Sequence, residues 1–247
     1  MKRLLILGGT GDAVELAAQA MSLPGLEVIT SLAGRTSAPK KLVGAVRIGG
    51  FGGEVGLVEY LQTAQIDLVI DATHPFAAQM SWHVAGAAAR VGIPWLMLVR
   101  PGWERLPVDD WIEVESIEVA VTAIPASAQR IFLTIGRQQL APFASLGDKW
   151  CLMRSIDPPD ADILLPPGEL LLDRGPFTLA QELKLLQDYR IDVIVSKNSG
   201  GDATYAKVIA ARELGIPVVM VQRPVMPEGE IVTDVAGAIE WLIDRQS

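Results

Sequence analysis

Two polar loops hold the residues of this chain that are best suited to chemistry. The first ends the stretch Ile66–Ala77 (IDLVIDATHPFA) and contains His74; the second ends the stretch Ile191–Gly201 (IDVIVSKNSGG) and contains Lys197. A histidine at such a place could act as a general acid or base, and a lysine could donate a proton or bind a carboxylate. We favour carboxylate binding for Lys197, whereas a lone histidine followed by Pro75 is more often a hydrogen-bonded turn residue.

The two loops occupy equivalent places in an internal repeat. Each follows an apolar run and precedes an alanine-rich helix, after which come the similar phrases Gly92–Pro101 (GIPWLMLVRP) and Gly215–Pro224 (GIPVVMVQRP). A phenylalanine lies fifteen residues before the first stretch and fourteen before the second, so the spacing is nearly equal over a whole βαβ unit. The repeat predicts two similar α/β halves with parallel sheets, whose ligands lie at the carboxyl ends of the strands.

The same pattern sets the expected domain boundaries. We expect an N-terminal domain over residues 1–100 and a C-terminal domain over residues 129–247, with a cleft between them. Residues 101–128 start with a segment rich in proline, glycine and acids, and then contain a short strand at Trp111–Val114 and a helix, which together suggest a linker. The sequence leaves open which half this strand joins, and its exchange between the halves is one option.

A glycine turn near the N-terminus is the first candidate cofactor site. Lys2–Thr10 predicts a buried strand, and a helix with apolar residues at helical spacing follows the turn. Such a turn offers backbone N–H groups and a helix N-terminus to a phosphate. Val14 replaces the third glycine of the dinucleotide fingerprint, so a plain tight turn is the alternative. The turn residues are Gly8, Gly9, Thr10 and Gly11.

The second strand favours one dinucleotide over the other. Folds specific for NAD place a carboxylate at the end of this strand, but Glu27–Leu32 is followed by Ala33, Gly34 and Arg35. A hydroxyl from Ser31 and a guanidinium from Arg35 suit a 2′-phosphate, which favours NADPH over NADH. The alternative is that Arg35 is only a solvated loop charge.

A second glycine-rich loop follows the next predicted strand. Val46–Gly53 (VRIGGFGG) carries Gly50 and Phe51 in a segment that a ligand could approach closely. Its counterpart in the second half is Leu170–Phe177 (LLLDRGPF), again apolar residues followed by glycine and phenylalanine.

Basic residues gather at the predicted strand ends although the protein as a whole is acidic. In a parallel sheet these ends share one edge, so we expect two cationic rims that suit a ligand with several carboxylates or phosphates. For any single arginine the alternative is pairing with a nearby acid. The residues are Arg35, Arg100, Arg137, Arg154, Arg174, Lys197 and Arg223.

Composition excludes several classes of protein. A chain of 247 residues with a net charge of −8 is not typical of a general nucleic-acid binder. No apolar run approaches the length of a membrane span, and we expect a soluble, cytoplasmic protein with no membrane partner. Two histidines without neighbouring cysteines or carboxylate pairs do not indicate a metal site. Neither the Gly-x-Ser-x-Gly of hydrolases nor the Tyr-x-x-x-Lys of short-chain dehydrogenases occurs.

Taken together, LLILGGTGDAVELA, SLAGR, GGFGG, DATHPFA, TIGRQ, RGPF and SKNSGG resemble the precorrin-6A reductase family of the cobalamin pathway. The resemblance implies two Rossmann-like domains and NADPH-dependent reduction of one double bond of the precorrin-6A macrocycle to give precorrin-6B. The many carboxylates of such a tetrapyrrole would account for the cationic rims. Whether that macrocycle carries cobalt is left open, as is the oligomeric state, for which a monomer is compatible.

The resemblance and the strand-end positions together imply two sets of site residues. Those expected at the cofactor are Gly8, Gly9, Thr10, Gly11, Ser31, Gly34, Arg35, Gly50, Phe51 and Thr73. Those expected at the substrate are His74, Pro75, Phe76, Arg137, Arg174, Gly175, Lys197, Asn198, Ser199 and Gly200, of which Lys197 and His74 are the catalytic candidates. Two alternatives remain: an NADP-linked reductase of a smaller anionic substrate, and a non-catalytic two-domain protein that binds a nucleotide or anion.

Overall fold

A computed structural model describes residues 1–34 and 43–246 of the chain. They form two compact units. The first comprises residues 1–101 together with the C-terminal segment from residue 225, and the second comprises residues 102–224.

The first unit is a six-stranded parallel sheet in the order β12-β5-β4-β1-β2-β3. Its elements are β1 (Lys2–Leu7), α1 (Gly11–Ala20), β2 (Leu26–Leu32), β3 (Ala45–Ile48), α2 (Gly53–Thr63), β4 (Leu68–Asp71), α3 (Ala78–Val91), β5 (Trp95–Leu98), β12 (Glu230–Val232) and α7 (Val235–Gln246). Without the sixth strand, the order follows the doubly wound pattern in which the chain reverses direction across the sheet between β1 and β4.

Both faces of this sheet are covered, which explains the continuous apolar runs of its central strands. Leu4 and Ile6 of β1 pack with α1 and α7 on one face, while Leu5 and Leu7 pack with α2 and α3 on the other. All four are at most 2% exposed. The helices thereby hold the carboxyl ends of β1, β2 and β4 at one fixed edge.

The second unit repeats this arrangement in a parallel sheet of the order β6-β11-β10-β7-β8-β9. Its elements are β6 (Trp111–Val114), α4 (Ile117–Ala123), β7 (Arg130–Thr134), β8 (Trp150–Ser155), β9 (Gly168–Leu172), α5 (Leu179–Asp188), β10 (Val193–Lys197), α6 (Ala206–Leu214) and β11 (Val218–Val221). Short 3₁₀ turns lie at Arg137–Gln139, Ala141–Ser145 and Asp202–Thr204. Phe132, Leu152 and Ile194 pack with α5 and α6 to form the core of one face.

The predicted fold class of two α/β parallel-sheet domains with an internal repeat is confirmed. Strands β1 to β5 of the first unit correspond in order to β7 to β11 of the second with β6 and β12 set aside. Each repeat has its glycine turn and its polar loop after equivalent strands. The internal repeat of the sequence is therefore also a repeat of strand positions in the two sheets.

The sixth strand of each sheet comes from the segment that follows the Arg-Pro phrase of the other half, which is the exchange that the sequence left open for Trp111–Val114. Strand β6, which follows the first Arg-Pro phrase, pairs with β11 of the second unit. Strand β12, which follows the second Arg-Pro phrase, pairs with β5 of the first unit. The expected boundaries at 101–128 and 129–247 therefore differ from the structure, because residues 102–128 belong to the second unit and the segment from residue 225 to the first. No helix among the described residues is long and apolar enough to cross a membrane.

Candidate active site

The glycine turn of the first unit is built around Thr10. Its hydroxyl donates to the carbonyl of Ala72 at 2.8 Å and accepts from the N–H of Ala13 at 3.1 Å, so it caps α1 and ties the turn to the end of β4. Gly9 has a φ of 122°, a conformation that favours glycine. A Cβ atom at Gly8 would lie 3.2 Å from the Thr30 methyl group and 3.3 Å from the Leu32 side chain, so a larger residue there would be crowded by β2.

This turn can hold a dinucleotide phosphate. A Cβ atom built on Gly9 or Gly11 would meet nothing within 4 Å, so the approach to the backbone is open. The first N–H groups of α1 have no partner within the helix, and the helix N-terminus carries partial positive charge. Asp12 adds a negative charge there, but Arg100 pairs with it at 2.9 Å. The residues present thus fit a phosphate group.

The end of β2 is held by Arg47, which the sequence analysis did not single out. Its guanidinium donates to the Ser31 hydroxyl at 3.3 Å and to the carbonyls of Gly49 at 2.5 Å and Gly50 at 2.8 Å. The same group lies 3.8 Å from the ring centroid of Phe51. Arg47 therefore shapes the loop of Gly50 and Phe51 and connects it to Ser31. An arginine two residues before a glycine pair is a weak signal, which is why sequence alone does not identify it.

Three residues predicted at the cofactor lie at or after the end of β2. Ser31 is buried, and its carbonyl accepts from the N–H of Gly8 at 2.9 Å, so it joins the end of β2 to the glycine turn. Gly34 has a φ of 74° and lies against Ile48. Arg35 lies outside the described residues, so its expected place at a 2′-phosphate stays a prediction.

Asp71 organises the polar loop after β4. This carboxylate is 3% exposed and accepts from the Thr73 N–H at 3.0 Å, the Thr73 hydroxyl at 2.6 Å and the Ser81 hydroxyl at 2.5 Å. The Thr73 hydroxyl thus donates to the protein itself. We infer that Thr73 shapes the loop and that only its oxygen lone pairs are left for a ligand.

His74 is part of the turn that precedes α3. Its Nδ1 atom accepts from the N–H of Phe76 at 3.2 Å, and its carbonyl accepts from Ala77 at 2.7 Å. An Nδ1 atom that accepts a hydrogen bond places the proton of a neutral imidazole on Nε2. The ring of Phe76 lies 5.8 Å from that of His74, and Pro75 is buried. The structural role expected for a lone histidine is present, and Nε2 is the atom through which His74 could donate a proton.

In the second unit, Lys197 is the last residue of β10 and is partly buried. Burial lowers the pKa of its ammonium group from the usual value near 10.5 to about 8. Below that pH the group is charged, so at neutral pH it can pair with a carboxylate or release a proton. Gly200, three residues later, is buried in the same loop.

The side chain of Asn198, which the sequence predicts at the substrate, bonds to the backbone of the protein. Its Oδ1 atom accepts from the backbone N–H of Trp103 at 2.7 Å, and its Nδ2 atom donates to the backbone carbonyl of Trp103 at 3.1 Å. The backbone carbonyls of Asn198 and Ser199 accept from the Arg223 guanidinium at 2.9 and 3.0 Å. Asn198 therefore fixes the loop after Lys197, and Trp103 is a further residue that sequence analysis missed.

The remaining arginines of the expected rims have separate surroundings. Arg137 donates to the Pro158 carbonyl at 2.7 Å and lies 3.6 Å from Asp160. Arg174 is exposed on the loop after β9, next to Gly175, which lies against the carbonyl of Ala203. By position, Arg137, Arg174 and Lys197 all lie at the carboxyl edge of this sheet, after β7, after β9 and at the end of β10.

The expectation that Arg154 lies on the rim is wrong. Its side chain is 6% exposed and pairs at 2.6 Å with Glu182 of α5, which is 1% exposed. It lies 3.8 Å from the ring centroid of Phe177 and 4.8 Å from that of Phe132. Arg154 shares a strand face with Leu152, which packs into the core, so the alternation of the strand turns it inward.

An open hollow of about 360 Å³ also lies at this edge, at the ends of β6 and β11. Its lining includes Glu113 and Glu115, whose negative charges disfavour an acidic ligand. Among residues 1–34 and 43–246, no cluster of three histidine, cysteine or carboxylate side chains could hold a metal ion. The polar loops after β4 and β10 therefore remain the candidate chemical centres.

Comparison with known proteins identifies the family of the chain. Residues 3–243 match the family model described as precorrin-6x reductase CbiJ/CobK. The chain is 52% identical over 244 residues to a precorrin-6A reductase of Rhodococcus erythropolis, with 98% of each chain covered. It is 42% identical over 245 residues to a precorrin-6A reductase of Rhodobacter capsulatus, covering 99% of this chain and 97% of the relative.

A solved structure named CobK precorrin-6A reductase superposes on the chain with a TM-score of 0.92 at 42% identity, covering 99% of this chain and 97% of the other. The match therefore includes both sheets, both exchanged strands and both polar loops. The chain belongs to the precorrin-6x reductase CbiJ/CobK family.

Proposed function

We propose that the chain reduces one double bond of the precorrin-6A macrocycle to give precorrin-6B, with NADPH as cofactor. The observation that carries the proposal is the full-length similarity to precorrin-6A reductases. Membership of a reductase family implies a nicotinamide cofactor. The choice of NADPH rests on the residues that follow β2, where a hydroxyl and an arginine replace the expected carboxylate.

The carboxyl edge of the first sheet would hold the cofactor. Its pyrophosphate would accept hydrogen bonds from the backbone at the start of α1, where Gly9 and Gly11 leave the approach open and Thr10 holds the turn. Gly8 would let the turn pack closely on β2. Ser31, Gly34 and Arg35 would face the adenosine ribose, with Gly50, Phe51 and Thr73 bordering the site. When bound, the nicotinamide supplies the hydride for the ring double bond.

The carboxyl edge of the second sheet would bind the acidic side chains of the macrocycle. Lys197, at the end of β10, and the exposed Arg174 would pair with these carboxylates, and the loops of Gly175, Ser199 and Gly200 would border them. Arg137 would join them by exchanging its contact with the Pro158 carbonyl for a substrate carboxylate. In the first unit, His74, Pro75 and Phe76 are the residues that we propose for the substrate.

Addition of a hydride to one ring carbon requires a proton at the neighbouring carbon. Lys197 holds a proton at neutral pH, yet its pKa of about 8 makes the loss of that proton accessible. His74 offers a second source through Nε2. We favour carboxylate binding for Lys197, which leaves His74 or a water molecule to deliver the proton. The protein would also contribute to catalysis by orienting the two reactants and excluding water from them.

Arg35→Ala is expected to raise the KM for NADPH by about ten- to a hundredfold, because one or two charge-assisted hydrogen bonds to the 2′-phosphate are lost. The KM for NADH should stay within about twofold, since NADH lacks that phosphate. Steady-state kinetics with each cofactor at saturating macrocycle measure both values. Arg90→Ala, which removes an exposed arginine of α3 in the same unit, is the control. Equal losses for both cofactors would remove the proposed role of Arg35.

The reaction itself is tested by incubating the full chain with NADPH and precorrin-6A. We expect oxidation of NADPH in step with formation of a product heavier by two hydrogen atoms, as measured by absorbance and mass spectrometry. Cofactor oxidation with smaller anionic substrates but not with the macrocycle would favour the smaller-substrate reductase. Binding of NADPH without any oxidation would favour a non-catalytic binding protein. The use of a reduced nicotinamide cofactor also leads us to propose a cytoplasmic location.

A further inference from the structure

We propose that Trp103 is a positioning residue that acts through Asn198 and Gly201, by its backbone and its indole respectively, to hold the Lys197 side chain in the geometry needed for the substrate. The inference rests on the proposed function in that it takes Lys197 as the substrate-facing cation. It adds a residue that lies more than ninety positions away in the chain and that has no expected contact with either reactant.

The contact between Trp103 and the loop after β10 is made by three hydrogen bonds. The side-chain amide of Asn198 bonds to both the N–H and the carbonyl of Trp103, at 2.7 and 3.1 Å. The indole Nε1 of Trp103 donates to the carbonyl of Gly201 at 2.9 Å. Both residues are buried, at 9% exposed for Trp103 and 7% for Asn198. Buried polar groups paired in this way are costly to separate.

The same loop is held from a second direction by Arg223. This guanidinium donates to the carbonyls of Asn198 and Ser199, the two residues after Lys197. A Cβ atom at Gly102 would lie only 3.2 Å from Asn198 Oδ1, so the backbone before Trp103 runs directly against the amide. Trp103 follows the point where the chain enters the second unit, and Arg223 precedes the point where it leaves. Trp103, near the first residue of the unit, and Arg223, near its last, therefore both form hydrogen bonds with the residues that follow Lys197.

The indole ring of Trp103 packs against a cluster of buried charged residues. The Lys207 ammonium lies 4.7 Å from the ring centroid and donates to the carbonyl of Thr204 at 3.0 Å. Tyr205 packs on the same indole, with ring centroids 5.7 Å apart. The charged groups near Lys207 are Arg154 of β8 and Glu182 of α5. Trp103 is thus supported from below by α6 and its preceding turn, which leaves it little freedom to move.

The consequence for Lys197 concerns its hydration. Burial lowers the pKa of Lys197 to about 8, so this pKa depends on how far the loop shields the ammonium group from water. If the anchor loosens, water reaches the amine and its pKa returns toward 10.5. A mispositioned Lys197 would also contact the substrate carboxylate less well, and small displacements of a reacting or binding group can reduce rates considerably.

The test compares Trp103→Phe and Asn198→Ala with Trp241→Phe in the full chain. Trp103→Phe keeps an aromatic ring but removes the bond to Gly201, and Asn198→Ala removes both bonds to the Trp103 backbone. Trp241→Phe is a matched control, because Trp241 is 6% exposed and its indole donates to Glu230 at 3.0 Å in the first unit. The readout is the pH midpoint for acylation of Lys197 by an amine-reactive reagent, quantified by peptide mass spectrometry without substrate or cofactor.

We expect the midpoint of Lys197 labelling to rise by at least half a pH unit in Trp103→Phe and by more in Asn198→Ala, with no change in Trp241→Phe. In turnover assays, the KM for the macrocycle should rise about tenfold while the Kd for NADPH stays within twofold. Thermal unfolding of each variant checks that it folds, and Trp103→Phe is the variant that decides if Asn198→Ala does not fold.

An unchanged midpoint in folded Trp103→Phe and Asn198→Ala would overturn the inference, as would an equal rise in Trp241→Phe. Since labelling needs no substrate, a shifted midpoint in a chain that does not reduce precorrin-6A would support the positioning role and refute only the proposed function. A shifted midpoint with an unchanged KM would also contradict the inference, because it would separate the geometry of Lys197 from substrate binding.

Discussion

Lys197→Ala is expected to lower kcat/KM for precorrin-6A by about 10²- to 10³-fold, mainly through a higher KM, at a nearly constant Kd for NADPH. The reason is that a partly buried cation is removed from the binding site of an acidic substrate, and truncation of one partner of such a pair costs 2 kcal/mol or more. Steady-state kinetics and direct titration of the cofactor separate the two effects. Unchanged kinetics would move Lys197 out of the site, whereas a loss confined to kcat would favour a proton-donor role.

The pH dependence of the wild-type chain follows from the same residue. The lowered pKa of Lys197 means that its charge is present below about pH 8 and is lost as the pH rises through that value. The value of kcat/KM should therefore fall on the alkaline side with a midpoint near 8. Lys197→Arg keeps its charge over this range and should retain measurable activity without that alkaline limb. An identical limb in Lys197→Arg would assign the titration to another group.

Glu182→Gln is expected to destabilise the chain by about 3–5 kcal/mol, because it leaves the Arg154 guanidinium buried without its counter-ion. Lys207 increases the effect. Burial and the charge of Arg154 lower the pKa of the Lys207 ammonium group, whereas the charge of Glu182 raises it. Without Glu182, the charged form of Lys207 is therefore less stable. Thermal unfolding should show a midpoint lower by roughly 10 °C. The loss is larger than that of a simple hydrogen bond, because a buried guanidinium without a counter-ion costs more than an unpaired neutral group.

Asp188→Asn on the same helix is the matched control for that prediction. Asp188 pairs with Lys184 at 2.7 Å, but both side chains are exposed, so its replacement should change stability by no more than about 0.5 kcal/mol. The double variant Arg154→Met with Glu182→Leu should recover much of the lost stability, because apolar residues of similar volume need no counter-charge. Equal effects of Glu182→Gln and Asp188→Asn would contradict the assignment of a buried ion pair.

Strand positions could be predicted closely from sequence because the apolar runs are sharply bounded. The predicted strand Trp111–Val114 has the same ends in the structure, and the predicted strand Glu27–Leu32 begins only one residue later than the observed Leu26–Leu32. The repeat of glycine turn and polar loop also gave the correct two-sheet architecture. The partner of Trp111–Val114 could not be predicted, because its pairing with Val218–Val221 joins segments about a hundred residues apart and depends on no local signal.

Residue types at strand ends predicted the location of the candidate site better than the role of each side chain. Lys197 and Arg174 lie where a ligand could reach them, while Arg154 has turned into the core. Successive side chains of a strand point to opposite faces of the sheet, and Arg154 points to the same face as Leu152. Helices cover that face, so Arg154 is buried. Asn198 looks like a ligand group in the sequence because its partner, the backbone of Trp103, has no side-chain signature. The expected 2′-phosphate contact of Arg35 lies outside the described residues and stays a prediction.

The origin of the last strand of the first sheet bears on how the chain is made by the ribosome. Residues 95–98 are synthesised well before residues 230–232, the strand that covers their open side. At 5–20 residues per second, roughly ten seconds pass before that neighbour emerges. During this interval the second unit, which is continuous in sequence, can complete its own sheet, whereas the first presents an unpaired row of backbone groups to other nascent chains. During synthesis the second unit can therefore complete its sheet before the first. The sheet of the first unit is complete only when β12 has been made.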